Sequence, residues 1–384
     1  MRRSFGFLRH TAVACACALA AASPGCDLTN YAQATGYVRA ADTFEPRRLD
    51  VEFTSANDIV AAQAVVDLVS TDATVLTFDA GPPRVGVVET PLGYSLDEMI
   101  TDLEALAGVV SAAQDPLPYP GAPTGYLLMS EDGMREVAWL REGGVVLSPL
   151  EYEFVVRVEG THDALAGTDV GVLNIESVTA AGDRVVQKGG TITLVDRSGD
   201  GLGTKVVLVD DLREKAWEIV GDSALVSEII ALGDGALVSV TGTELAPGLT
   251  SYAGGLSLSV VSYDELTTTE VNDIRTLVGT ALPNLGPAPD SGDEVWFLPI
   301  ELTEGAVASV PAELDLFAAA STISENGYLV FVDYDDPTPP SQIVFVKTAL
   351  PAEPVVLFSG HPLTSLKVTD AAGEVVTGPW VSYY

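Results

Sequence analysis

Thr191-Ile192-Thr193-Leu194-Val195-Asp196-Arg197, then Ser198-Gly199-Asp200-Gly201-Leu202-Gly203, then Thr204-Lys205-Val206-Val207-Leu208-Val209-Asp210 is the stretch that decides the fold. Two β-branched runs flank a segment of turn-forming residues, which is the pattern of a hairpin. Val75–Phe78 and Arg84–Glu89 flank Asp79–Pro83 in the same way, and Gly327–Tyr334 and Gln342–Thr348 flank an Asp/Pro-rich turn. The three hairpins are alike, so the segments between them deserve inspection for weaker copies. Gly125–Glu131 with Arg135–Glu142, Glu153–Glu159 with Val170–Glu176, and Gly235–Gly242 with Gly255–Tyr263 supply them, and Val295–Leu302 adds an unpaired strand.

The second strands begin near Val85, Glu136, Val170, Val206, Gly255, Val295 and Ile343, an average step of about 43 residues, the length of one four-stranded propeller blade. In this the chain resembles degenerate β-propeller repeats of exported bacterial proteins. The resemblance implies an all-β fold, a single β-propeller of about seven blades over residues 51–384. No blade carries a tryptophan signature, and two other architectures share the spacing: tandem β-sandwich domains, or a small α/β N-terminal part followed by β domains. Asn57–Val69 and Leu96–Ala107 read as helices, the second with Leu96, Met99, Ile100, Leu103 and Leu106 on one face. Leu282–Asp293 is the better of two loops for a domain boundary. The closing Trp380–Tyr384 reads as the strand that completes the last blade.

The N-terminus carries a different message. Arg2, Arg3, Arg9 and His10 precede an apolar run, Thr11–Ala22, that is too short for the ~20 residues of a spanning helix. Ser23-Pro24-Gly25-Cys26 follows. This resembles the bacterial lipoprotein signal, with residues 1–25 removed and Cys26 lipidated as the first mature residue. Gly25 matches that signal, whereas Ser23 and Pro24 depart from it, leaving ordinary cleavage after Ala22 as the alternative. Cys15 and Cys17 lie inside the leader, so the mature chain keeps one thiol and forms no internal disulfide. Residues 26–50, weakly patterned, are expected to be the lipidated tether, and the membrane is a partner through that lipid.

Composition narrows the function classes. The formal net charge is −35, and without Arg2, Arg3 and Arg9 sixteen basic residues face 54 acidic ones. Such a field repels phosphate backbones, so nucleic acid is not an expected partner, and a protein or cationic partner suits it better. Hydrophobic residues make up 47% of the chain, ample for a large core. His162 and His361 stand outside any spaced metal motif, and no nucleophile elbow, phosphate loop or dinucleotide fingerprint is present. Asp196, Ser198 and Asp200 alternate before Gly201 like the front half of a calcium loop, but Val207 stands where the bidentate acid belongs and Arg197 puts a positive charge beside the ion. A plain turn competes with calcium there, and no other cofactor is indicated. The expectation is a non-catalytic, lipid-anchored binding or scaffold protein of the cell envelope. The alternative is a propeller-type hydrolase or lyase acting on extracellular polymers.

Overall fold

The structure is a computed structural model. It describes residues 31–384 except 119–123, 131–135, 165–169, 211–214, 301–305, 311–318, 337, 362, 364–365 and 370–377. The chain is mostly β, arranged in several sheets. It opens with β1 (Tyr31–Ala40), then runs through β2 (Asp42–Phe53), α1 (Ile59–Val66), β3 (Thr74–Asp79), β4 (Arg84–Glu89), α2 (Leu96–Glu104) and β5 (Val109–Pro118). Next come β6 (Tyr126–Met129), β7 (Glu136–Arg141), β8 (Phe154–Asp163) and β9 (Val172–Asp183). β10 (Val185–Arg197), β11 (Gly203–Asp210), β12 (Lys215–Gly221), α3 (Ser223–Leu232), β13 (Leu237–Glu244) and β14 (Ser257–Leu266) form a second series. The remainder is α4 (Thr268–Ala281), β15 (Glu294–Ile300), β16 (Ala306–Val310), β17 (Ala319–Ile323), β18 (Gly327–Asp333), β19 (Gln342–Lys347), β20 (Pro354–Ser359), β21 (Lys367–Thr369) and β22 (Val381–Ser382).

Two five-stranded barrels dominate. The first has the order β1-β6-β7-β9-β8, the second β10-β11-β12-β14-β13, and each closes by its fourth strand pairing back onto its first. In both, the third and fifth strands run parallel while the other neighbours are antiparallel. This is a five-stranded Greek-key barrel built twice. A segment between strands three and four plugs each one: Leu147 beside a 3₁₀ turn in the first, Ile229 of α3 in the second, both fully buried.

Closure depends on matching glycines. Tyr31–Gly36 of β1 pairs with β8 and Tyr37–Ala40 with β6, so the strand changes partner at Gly36. β10 does the same beside Gly190, pairing with β13 before it and β11 after it. A Cβ on Gly36 would strike the Met129 carbonyl, and one on Gly190 the Val209 carbonyl. The fourth strands carry the second device: Gly160 and Gly242 sit at register shifts in β8 and β13, against the carbonyls of Asn174 and Ser259. Glycine lets the backbones approach closely where the sheet must coil into a barrel.

Between β1 and β6 the first barrel carries an inserted βαββαβ unit. Its sheet order is β3-β4-β2-β5, all antiparallel, the ferredoxin-like arrangement. Leu49, Val51 and Phe53 of β2 pack beneath Val66 of α1 and Leu96, Met99 and Leu103 of α2. The C-terminal unit is a sandwich. The sheet β20-β19-β18-β15-β22 faces β17-β16-β21 across a core containing Leu298, Ala308, Phe331, Phe345 and Trp380. α4 covers the outer face of the larger sheet through Val271, Ile274 and Val278.

The barrels are joined by one residue. Arg184 separates β9 from β10, and its side chain is 4% exposed. The guanidinium lies 3.6 Å from the Tyr37 ring centroid and 3.1 Å from Glu244 Oε2, while Glu244 also accepts from Trp217 Nε1 at 3.2 Å. Burial pushes the Glu244 carboxyl up, but Lys188, Arg184 and Trp217 outweigh it and hold it below the usual range.

The hairpins read from the sequence form, except that the strand read as Glu153–Glu159 pairs beyond its expected partner, with Ser177–Asp183; the strands do not build a seven-blade propeller. A blade is complete within its own four antiparallel strands. Here β10, at 13 residues, is long enough to serve β13 on one half and β11 on the other, and parallel pairs link strands two apart in sequence. The all-β class holds, with an α/β part near the N-terminus, although it is inserted in a barrel rather than preceding one. Residues 31–50, expected to be tether, are strands β1 and most of β2, because each edge finds partners. The unit boundary falls before α4 rather than at Leu282–Asp293, since α4 packs on the sandwich. Trp380–Tyr384 does supply the edge strand β22 of the last sheet.

Gly160→Ala and Gly242→Ala should each cost about 1–3 kcal/mol, as for overpacked sites, measured by urea unfolding. Equal stability with wild type would show that the barrels do not need this close approach. Arg184→Ala leaves the half-buried Glu244 without its guanidinium and should cost about 3 kcal/mol in the same measurement.

Candidate functional site

The inserted unit leans on the second barrel, and a cleft of about 550 Å³ lies where they meet. The insert and the second barrel both line it. α2 contributes its first turn (Ser95, Asp97, Glu98), strands β11 and β12 contribute Lys205, Glu218 and Val220, and the loop 245–256 between β13 and β14 contributes Leu245 through Tyr252.

Local sequence explains each element. Ser95-Leu96-Asp97-Glu98 is a capping box: Ser95 Oγ accepts from Glu98 N at 3.2 Å, and Glu98 Oε2 accepts from Ser95 N at 3.2 Å. The loop folds on itself, with Gly248 N donating to Gly255 O at 2.9 Å and Ser251 Oγ to Leu256 O at 2.6 Å. Gly254, at φ 72°, lies against the backbone of Arg47, whose own φ of 64° is rare for a side-chain-bearing residue. Arg47 N donates to Gly254 O at 2.9 Å, so two left-handed residues join the insert to the loop.

Tyr252 is the hub. Its backbone N donates to Glu218 Oε2 at 2.9 Å, and its hydroxyl donates to Glu98 Oε1 at 3.1 Å. Arg197 and Lys205 stand 5.2 and 5.5 Å from its ring centroid. Arg197 grips Glu98 with both terminal nitrogens, at 2.7 and 3.2 Å, and donates to Gly93 O at 3.2 Å. Burial raises the Glu98 carboxyl, yet the Ser95 N–H, Arg197 and the Tyr252 hydroxyl together hold it below the usual range. Burial and the Glu98 charge push the Tyr252 hydroxyl upward. Glu218 is 6% exposed, with Lys205 Nζ 3.6 Å from its other oxygen. Two carboxylates are thus oriented by cations and N–H donors, Glu98 through both oxygens and Glu218 chiefly through Oε2.

The turn singled out for calcium is part of this site, through a different residue. Asp196 Oδ1 accepts from Ser198 N at 2.9 Å, and the Ser198 contacts lower its carboxyl. Ser198–Asp200 is one 3₁₀ turn, and the Asp200 side chain lies outside the described residues. Arg197, the charge that counted against an ion, turns inward to Glu98. Among the described residues no group of three or more His, Cys, Asp and Glu could hold a metal ion. Cys26 lies outside the described residues. His162 is in β8 of the first barrel and His361 follows β20 of the sandwich, so the fold does not bring them together. Glu98, Glu218 and Tyr252 were not singled out in sequence. The capping box marked Glu98 as the third residue of a helix, while nothing distinguishes Tyr252 in Pro247–Gly255.

The ion pair has a testable pH signature. Glu98 titrates lower folded than unfolded, so its contribution is present above the ordinary carboxylate range and lost as pH falls through the folded value. Arg197→Met should cost about 1–2 kcal/mol at neutral pH, and the deficit should shrink on acidification. Urea unfolding across that range checks it, and a deficit independent of pH would refute the assignment.

No protein-family model, curated protein or solved structure matches this chain.

Proposed function

We propose that this chain is an exported, non-catalytic binding and scaffold protein, held at the bacterial envelope by lipid on Cys26, with its ligand in the cleft between the insert and the second barrel. The observation that carries the binding role is that cleft, whose walls come from two units and whose charged groups are locked by Tyr252 and Arg197. Preorganised polar groups in a concavity of this volume fit recognition of a small ligand. A hydrolase or lyase acting on polymers is less well supported, because Glu98 and Glu218 both serve as acceptors for fixed partners.

The anchor rests on the basic start, the short apolar run and Gly25-Cys26. β1 begins at Tyr31, five residues after Cys26. A lipid there would hold the first barrel within about 20 Å of the membrane, since extended chain spans at most ~3.6 Å per residue. Net charge −35 keeps nucleic acid away and favours cationic or protein partners at the surface.

Cys26→Ser should move the protein from the membrane fraction to the soluble envelope fraction. Unchanged fractionation, together with the absence of palmitate label on wild type, would refute lipidation.

A further inference from the structure

We propose that the cleft binds a neutral, polyhydroxylated ligand, a short oligosaccharide, gripped by Lys205 and Glu218 through its hydroxyls. This rests on the cleft being the ligand site. The first observation is charge. In a chain of net charge −35, the cleft is close to balanced: Glu98 is paired with Arg197 and Glu218 with Lys205. Asp97 is the one lining carboxylate without a basic partner among the described residues, and it is exposed. An anionic ligand would have to break an existing pair and a cationic one finds only the exposed Asp97, whereas a neutral one needs neither.

The second observation is what each pair leaves available. Glu218 Oε2 is taken by Tyr252 N, but among the described residues Oε1 has only the Lys205 ammonium at 3.6 Å, beyond hydrogen-bond length. Lys205 has three donors and Glu218 Oε1 a spare acceptor position. A sugar hydroxyl inserted beside them donates to Glu218 and accepts from Lys205 at once, and a vicinal pair can engage both residues. The Thr250 and Ser257 hydroxyls, also on the lining, bond no partner among the described residues and extend the polar set. Val220 and Leu245, with Leu202 49% exposed at the rim, offer apolar surface to the C–H face of a sugar ring. The mixture suits a polyol: paired ions, free hydroxyls and a little hydrocarbon.

The test titrates the full-length protein, by calorimetry, with cellotriose, chitotriose and maltotriose as neutral probes, and with spermine and calcium chloride as charged ones. At least one trisaccharide should bind at or below about 1 mM. Lys205→Met should weaken it about tenfold or more, the loss of one charge-assisted hydrogen bond. Thr250→Trp, at an exposed position, should abolish it by filling the cleft, with urea unfolding showing that the variant remains folded. Failure of every trisaccharide to bind overturns the proposal. If spermine or calcium binds instead and Thr250→Trp removes that binding, the cleft stands as the site and only the neutral class falls. If a trisaccharide binds equally to wild type and Thr250→Trp, both the ligand assignment and the cleft fall.

Discussion

Closing a sheet of five strands on itself is the constraint from which the rest of this structure follows. So few strands can close only if some bend sharply and change partner midway, and the chain meets that demand twice with the same means. Gly36 and Gly190 sit where the first strand passes from one neighbour to the other, and Gly160 and Gly242 where the fourth slips register. Barrel closure also leaves no edge to add strands to, so additional structure can enter only through connections. In the first barrel the connection between strands one and two carries an entire βαββαβ unit. In the second the corresponding connection is the short turn at Ser198–Leu202.

That asymmetry creates the cleft. The insert leaves the first barrel, reaches the second and rests its α2 N-terminus on the strand β11/β12 face. Tyr252 fixes the contact from both sides, taking Glu98 with its hydroxyl and Glu218 with its backbone. Neither unit alone would present this lining. Any ligand touching Asp97 and Lys205 together therefore senses the relative position of insert and barrel.

Much of the local structure was legible in the sequence. The β-branched runs and their turn residues identified the hairpins, because strand pairing between neighbours in sequence is a local matter. The helical face Leu96–Met99–Leu103 was equally plain. α3 and α4 carry boundary signals of the same local kind: Asp222 before Ser223 with Gly233 beyond, and the capping box Thr267–Glu270. Barrel closure was not legible. It depends on which distant strand meets the first half of β10, and an average spacing of hairpins fits barrels, sandwiches and blades alike. The site divided in the same way. The turn at 196–203 drew notice for its oxygens, but the residue it contributes is Arg197, whose partner Glu98 lies 99 positions away. Long-range ion pairs leave no periodic trace.

The single-residue link at Arg184 has a mechanical consequence. The barrels touch there through a buried guanidinium, and they are bridged again by the insert through Arg197, Tyr252 and Arg47. Chain and contacts thus form a loop of three bodies, braced at two corners as a truss is. Tension entering at Tyr31 loads β1 along its axis, where it is bonded to β8 over one half and β6 over the other. Bonds loaded in that direction share the force instead of opening one after another.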